Sequence, residues 1–402
     1  MEHLDAKTRL PLRDARCQRR GHRAAALAFL ALAGTANAGP TIAFGEEGYV
    51  TFGYAFQLWA REQSFTSSTD NGRSTDIYFR RNRLLFSGQA NDIYGFYVQL
   101  EAGNDDRNGN TDKPVFYRDA YITADYSDGL RVIAGRFKST FSRENLEACL
   151  EPLTADRAEV ISYAPFGAQG GTRDTGLALW GNLADAKVQY RLMFADGRQG
   201  DEVARKSLRV TARGHVSLLD PEADYGYKAT YVGTRRVLTV GAAVDYQAKA
   251  AYANFPARTD AKDYKAWTVD AFLEYPTTAG TFTLSAAVFD YSTGNAINQS
   301  PDPLLPVTSE LKAAYLKGAY LFPQRVGPGR LQPFFRYEKS AYAVTGGLFD
   351  QQWRSGGLNY YLNGQNLKLM LEHASIRFDT QHPTNPALRD YSHTTLGLQF
   401  IF

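Results

Sequence analysis

Cysteine is almost missing from this chain: 402 residues contain only Cys17 and Cys149. A disulfide framework of the kind that staples small exported domains is therefore excluded, and stability has to come from elsewhere. Long apolar runs are missing too. The best of them, residues 24–33 (AAALAFLALA), is about half of the roughly 20 residues that a spanning helix requires. Catalytic signatures are absent: there is no G-x-S-x-G, no H-E-x-x-H, no G-x-G-x-x-G in a βαβ context and no C-x-x-C. His215, His373, His382 and His393 are scattered without ligand spacing and read as wall or loop residues. A protein that is not an enzyme and holds no cofactor or metal is expected. A hydrolase assembled from a distant Ser, His and carboxylate stays open, since sequence order does not exclude convergence in space.

What is present begins with a leader. Arg13, Arg16, Arg19, Arg20 and Arg23 precede the apolar run, and Ala36-Asn37-Ala38 supplies the small-x-small pattern of a signal-peptidase site. Residues 1–38 are read as a cleaved signal peptide and 39–402 as one exported domain. The leader holds seven basic and three acidic residues, so its removal takes four charges from the formal +3 and leaves about −1. The apparent basicity belongs to the leader, and a nucleic-acid partner is not expected.

The remainder is rich in aromatics, with 25 Tyr and 24 Phe, and reads as strands. In residues 281–290, Phe282, Leu284, Ala286 and Val288 alternate with Thr283 and Ser285; Gln189 and Arg191 alternate with Val188, Tyr190, Leu192 and Phe194. A period of two gives one oily face and one wet face. About sixteen such segments begin near Gly48, Asp76, Tyr94, Phe116, Leu130, Arg173, Lys187, Leu208, Arg235, Tyr264, Gly280, Leu311, Arg330, Gln352, Asn366 and Ser392.

Their connections alternate in length. Short links follow even-numbered strands (Asn91-Asp92-Ile93, Ser127-Asp128-Gly129, Ala184-Asp185-Ala186, Asn363-Gly364-Gln365), while long polar stretches follow odd-numbered ones, among them residues 62–75, 103–115, 138–172, 292–310 and 380–391. Short turns at one rim and long loops at the other are the pattern of an outer-membrane barrel. Residues 220–234 are the weak point, being long for a turn. On the last strand Leu396, Leu398, Phe400 and the terminal Phe402 share one face, and a terminal aromatic is what the barrel-assembly machinery binds. The expected fold is all-β: a transmembrane antiparallel barrel of about 16 strands with short periplasmic turns, long external loops and its apolar faces on outer-membrane lipid. A secreted β-sandwich is the alternative.

A barrel of this size leaves a water-filled lumen by default. Residues 138–172 are the best candidate for a loop that narrows it, with a short helical piece at 143–148 and a Pro/Gly-rich end at 165–171; a loop lying over the rim is the alternative. If Leu84 and Phe86 face lipid, Arg81 and Arg83 face inward, and the same phase turns Arg191, Arg209 and Arg213 inward. Such a strip would favour anions in a low-dielectric cavity. Glu101, Asp119, Asp125, Asp270, Glu274 and Glu372 share those faces, and whether they cancel the strip stays open.

Three phrases carry a resemblance: Phe79-Arg80-Arg81-Asn82-Arg83-Leu84, Gly135-Arg136-Phe137-Lys138-Ser139-Thr140-Phe141-Ser142-Arg143-Glu144 and Gly357-Leu358-Asn359-Tyr360-Tyr361-Leu362-Asn363. They resemble the phosphate-selective porin O and P family. The resemblance implies a sixteen-stranded barrel in a homotrimer, with a third external loop folded inward. By that analogy Lys138, Arg143 and Arg157 inherit a constriction role. The family filter is strongly basic, whereas this loop also holds Glu144, Glu147, Glu151, Asp156 and Glu159. The reading is thus a passive channel for small hydrophilic solutes, anions such as phosphate favoured. The second reading, prompted by the company some members keep, is a barrel that docks or sleeves a multihaem cytochrome.

Overall fold

The computed structural model describes residues 39–64, 72–102, 114–161, 172–199, 203–254, 257–294, 296, 310–344, 347–381 and 389–402. The leader with its cleavage position, the Pro/Gly-rich stretch 165–171 and His382 lie outside the described residues.

The strands in chain order are β1 (Thr41–Phe44), β2 (Gly48–Ser64), β3 (Arg73–Gln89), β4 (Tyr94–Glu101), β5 (Phe116–Ser127), β6 (Leu130–Lys138), β7 (Arg173–Leu183), β8 (Val188–Ala195) and β9 (Arg209–Ser217). They continue with β10 (Val237–Asn254), β11 (Thr259–Pro276), β12 (Thr281–Ser292), β13 (Glu310–Leu321), β14 (Arg325–Val326), β15 (Gly329–Val344), β16 (Gly347–Asn363), β17 (Leu367–Phe378) and β18 (Tyr391–Ile401). Each long strand pairs antiparallel with the next, and β18 returns to β2 from His393↔Gln63 to Ile401↔Ala55, closing a barrel of sixteen long strands. Closure satisfies every edge, the condition for a sheet in hydrocarbon. Tyr54 and Phe402 exchange backbone hydrogen bonds of 3.0 Å at the seam. Below it, β1 pairs the part of β2 that β18 does not reach; β14 is a two-residue addition in the turn before β15.

The strand starts expected at Gly48, Tyr94, Phe116, Leu130 and Arg173 coincide with those observed. The largest offsets, five residues, are at β11 and β16. There the hairpins β10–β11 and β15–β16 run well past the 9–11 residues that cross a bilayer, and strand ends standing in water need no oily face, so their pattern reads as loop. The tight turns have local causes. Asn91 Oδ1 accepts from the amides of Ile93 (3.0 Å) and Tyr94 (2.9 Å). Ala184, Asp185 and Ala186 all adopt positive φ, as does Gly364.

Burial is inverted relative to a soluble protein. Leu84, Val244, Leu396 and Phe400 are exposed on the outer face, while Gln57, Glu101, Glu274 and Thr395 are fully buried within. This arrangement excludes the sandwich alternative. None of the described helices is long and apolar enough to cross a membrane.

Among the described residues, two connections lie inside the barrel. From the long-loop side, residues 139–161 carry a one-turn helix α1 (Arg143–Leu146), shorter than the expected 143–148, capped by Ser142 Oγ accepting from the Asn145 amide at 3.1 Å. Their backbone meets inward side chains of distant strands: the Arg143 amide donates to Asp270, the Ala155 amide to Glu372, and Asn359 donates to the Leu153 carbonyl. From the short-turn side, residues 218–236 also turn inward, burying Glu222, Tyr225, Tyr227 and Thr230. The length of 220–234 is thus the length of an insertion. The described parts of these two insertions occupy space within the lumen.

Candidate functional site

The inward arginines gather into two clusters. The first surrounds Cys149 on the 139–161 segment. In β3 the register against β2 slips at Gln57/Leu58, leaving Arg80 as an extra residue. This bulge aims consecutive arginines at one carboxylate: Arg80 Nε reaches Asp156 at 2.8 Å and Arg81 Nη2 reaches it at 2.6 Å. Arg81 also donates to Gln57. Arg83 donates to Glu101 at 2.9 Å and to Cys149 Sγ at 2.7 Å. Arg118 shares Glu101 (2.8 Å), and Arg173 pairs with Asp119 (3.0 Å). Lys138 Nζ and Arg157 donate to the backbone carbonyls of Glu147 (2.6 Å) and Asn145 (3.0 Å). Seven basic side chains therefore face Glu101, Asp119 and Asp156, with Glu151 near Lys138 and Glu144 near Arg157 in the same loop. A cavity of about 40 Å³ opens between Arg83, Lys138, Arg173, Gln99, Asp119 and Cys149, room for a few waters or one small ion. Burial alone would push the Cys149 thiol up, yet Arg83, Arg81, Lys138 and Arg157 hold it well below the usual thiol range. Burial likewise opposes ionisation of Asp156, and Arg80 and Arg81 more than offset it.

The second cluster is where the two insertions meet. The Tyr227 amide donates to the Leu146 carbonyl (3.3 Å) and the Ala148 amide to the Tyr227 carbonyl (3.1 Å), a parallel bridge between loop and turn. Arg143 grips Glu222 with two parallel bonds of 2.7 and 2.8 Å, the fork geometry suited to a carboxylate. Arg213 does the same to Asp270, with two bonds of 2.7 Å. Arg191 donates to the Tyr227 hydroxyl (2.9 Å) and the Tyr225 carbonyl (2.7 Å). All three guanidinium groups lie over the Tyr227 ring, and Arg143 sits 3.9 Å from the Phe272 centroid. Glu274 anchors the turn by accepting from Thr230, Tyr231 and Gly233. Burial opposes ionisation of Glu222, but Arg143 brings its carboxyl down to about 2. Glu147 goes the other way: burial, then the neighbouring Glu144, raise it to about 7.

Of the eight residues singled out from sequence, Arg81, Arg83, Lys138 and Arg157 come together at Cys149, and Arg143, Arg191 and Arg213 at Tyr227. Arg209 stands apart, bonded through Nε to both oxygens of Asp245 (3.0 and 2.9 Å) beside Tyr264. The sequence reading gives Arg118 and Glu222 no role, Arg173 only the start of a strand and Asp156 only a place among the acids of the loop. Strand phase marks Arg173 once β7 is aligned; nothing local marks Asp156 or Glu222. Among the described residues no trio of His, Cys, Asp or Glu side chains is gathered as a metal would need.

A closed sixteen-stranded barrel, oily outside and charged within, defines an outer-membrane porin of the Gram-negative type, a channel rather than an enzyme by family and fold. Residues 50–402 match the family model described as phosphate-selective porin O and P, and the chain belongs to that family. Comparison with curated proteins gives no significant match. Among solved structures, the chain is similar to an anion-selective porin from Comamonas acidovorans, with 11% identity over 89% of this chain and 100% of that one and a TM-score of 0.60. It is also similar to OmpF of Salmonella typhi in complex with daunomycin (14%, 88% and 98%, 0.56) and to a loop L8 deletion mutant of OmpT of Vibrio cholerae (11%, 89% and 100%, 0.55). At these identities the likeness is one of fold. Neither the family nor these neighbours lends support to the cytochrome-docking alternative.

Proposed function

We propose that this porin favours small anions, phosphate-like oxyanions among them. The carrying observation is the surplus of cations over carboxylates around the cavity beside Cys149. In a narrow, low-dielectric passage leftover charge selects ions even when the whole chain is near neutral. In this reading Arg81, Arg83, Lys138 and Arg157 form the filter, while Arg143, Arg191 and Arg213 hold the constriction in place and Arg209 braces the wall. Support also comes from the family description and from the Comamonas neighbour, whose name states anion selectivity. A trimer belongs to the same proposal, since one OmpT structure of this fold is described as a trimer form. So do the cleaved leader 1–38 and recognition of Phe402, exposed beside Phe400 with ring centroids 5.8 Å apart, by the assembly machinery.

The test is the reversal potential of the reconstituted channel under a KCl gradient. The wild type is expected to lean toward the chloride limit. The double substitution Arg83→Gln with Lys138→Gln is expected to cut the chloride-to-potassium permeability ratio roughly fivefold, as about 1 kcal/mol of lost attraction gives. A cation-leaning wild type overturns the proposal.

A further inference from the structure

Conduction needs no thiol, yet Cys149 is placed with more care than a filler residue. Its Sγ takes a hydrogen bond from Arg83 at 2.7 Å, and it lines the cavity together with Lys138 and Arg173. Gln99, 4% exposed, lines the same cavity; its amide nitrogen donates to Tyr97 Oη at 2.8 Å, while its Oε1 has no hydrogen-bond partner. A buried acceptor without a donor is unfavourable, so the cavity asks for a small molecule that brings an O–H. A nucleophile, flanking cations and a waiting acceptor around a space of a few waters describe a reaction chamber for a small oxidant.

We propose that Cys149 is an oxidation site, converted to a sulfenic acid by hydrogen peroxide or an equally small hydroperoxide entering from the lumen. The peroxide donates one O–H to Gln99 Oε1. The sulfur lone pair attacks the nearer peroxide oxygen; the S–O bond forms as the O–O bond breaks, two electrons pass from sulfur to peroxide, and the far oxygen leaves as hydroxide, which water or buffer protonates. The cations around the sulfur keep it in the reactive thiolate form. The groups facing it are Arg81 and Arg83 from β3, Tyr97 and Glu101 from β4, Arg118, Asp119 and Tyr121 from β5, Lys138 from β6, Arg173 from β7, Tyr225 from the inner turn, and Asp156 and Arg157 from its own loop, a net positive set. Exchanging a thiolate for a neutral sulfenic acid leaves the constriction one charge more positive. With Cys149 the one cysteine after the leader, no intrachain partner resolves the product to a disulfide.

The experiment treats the folded channel in detergent with hydrogen peroxide and dimedone and maps the adduct by mass spectrometry, which also separates Cys149 from Cys17 of any uncleaved leader. Labelling at Cys149 is expected, absent in Cys149→Ser, with a rate that changes by less than about threefold between pH 6 and 8. An ordinary thiol of pKa about 8.5 accelerates roughly 75-fold over that range, which is what the urea-unfolded chain should show. An unlabelled folded channel beside a labelled unfolded chain overturns the proposal, and so does a folded-state rate that climbs as steeply as the unfolded one. The readout is chemical, so it stands or falls independently of ion selectivity.

Discussion

Around Tyr227, Arg143 and Arg213 each close a two-bond fork on a carboxylate, and Arg191 rests on two tyrosines. Around Cys149, arginines of the sheet share carboxylates or turn to a sulfur, Lys138 and the loop's Arg157 bond backbone carbonyls, and a cavity remains between them. Both clusters are buried, lie in one lumen and use one residue type. They differ in pairing: the first locks two of its three arginines in carboxylate forks and lays the third on tyrosines, while the second shares fewer carboxylates among more cations. Paired charge in a low-dielectric interior fixes geometry, whereas surplus charge sets up a field. In the proposed reading one cluster holds the constriction and the other acts on what passes.

The largest way to break that division is to remove the inner insertion. Replacing residues 221–233 by a tight Asn-Gly turn deletes Glu222 and Tyr227 together and leaves the wall intact. Single-channel conductance is expected to rise several-fold, toward that of an unobstructed sixteen-stranded lumen; an unchanged conductance would mean that the turn does not obstruct the ion path.

A smaller break is Arg143→Ala. It strands Glu222 as a buried carboxylate, which costs about 3–5 kcal/mol, spent on undocking loop and turn rather than on unfolding the barrel. Hydrogen exchange should speed up at residues 139–161 and 219–236 and stay slow in the strands. Because Arg143 and Glu222 share one interaction, adding Glu222→Ala should cost much less than the sum of the two single changes.

How far these clusters were legible in sequence follows from the range of the forces involved. Strand period and turn chemistry are local, so the sixteen strands and the inward phase of Arg83, Arg191 and Arg213 can be read directly. The partners are not local: Asp156 lies about 75 positions from Arg81, and Glu222 lies 79 from Arg143. Only the inward folding of the loop and the turn brings them together. The bulge at Arg80 hides a third kind of information, since one extra residue aims two successive arginines at one acid against the alternation. The inner insertion left one sequence trace, a turn too long for its rim.

The finest probe of the contrast is pH, because two carboxylates at the junction of loop and turn, Glu222 and Glu147, are shifted in opposite directions. Glu222 sits at about 2, below an ordinary glutamate, so its contribution is complete above about pH 4.5 and is lost as pH falls toward 2. Glu147 sits at about 7, above the ordinary value, so the docked state holds its proton more tightly, and docking weakens as pH rises from about 4.5 to 7, with no further loss above that. Docking should therefore be firmest around pH 4.5. Conductance is then expected to rise modestly, by less than about twofold, from pH 5 to 7.5 as Glu147 ionises beside Glu144. Glu147→Gln should flatten this alkaline limb and leave the acid limb, carried by Arg143 and Glu222, where it was. An alkaline limb that survives in Glu147→Gln would place the titrating group elsewhere, with the surplus-charge cluster around Cys149 the next to examine.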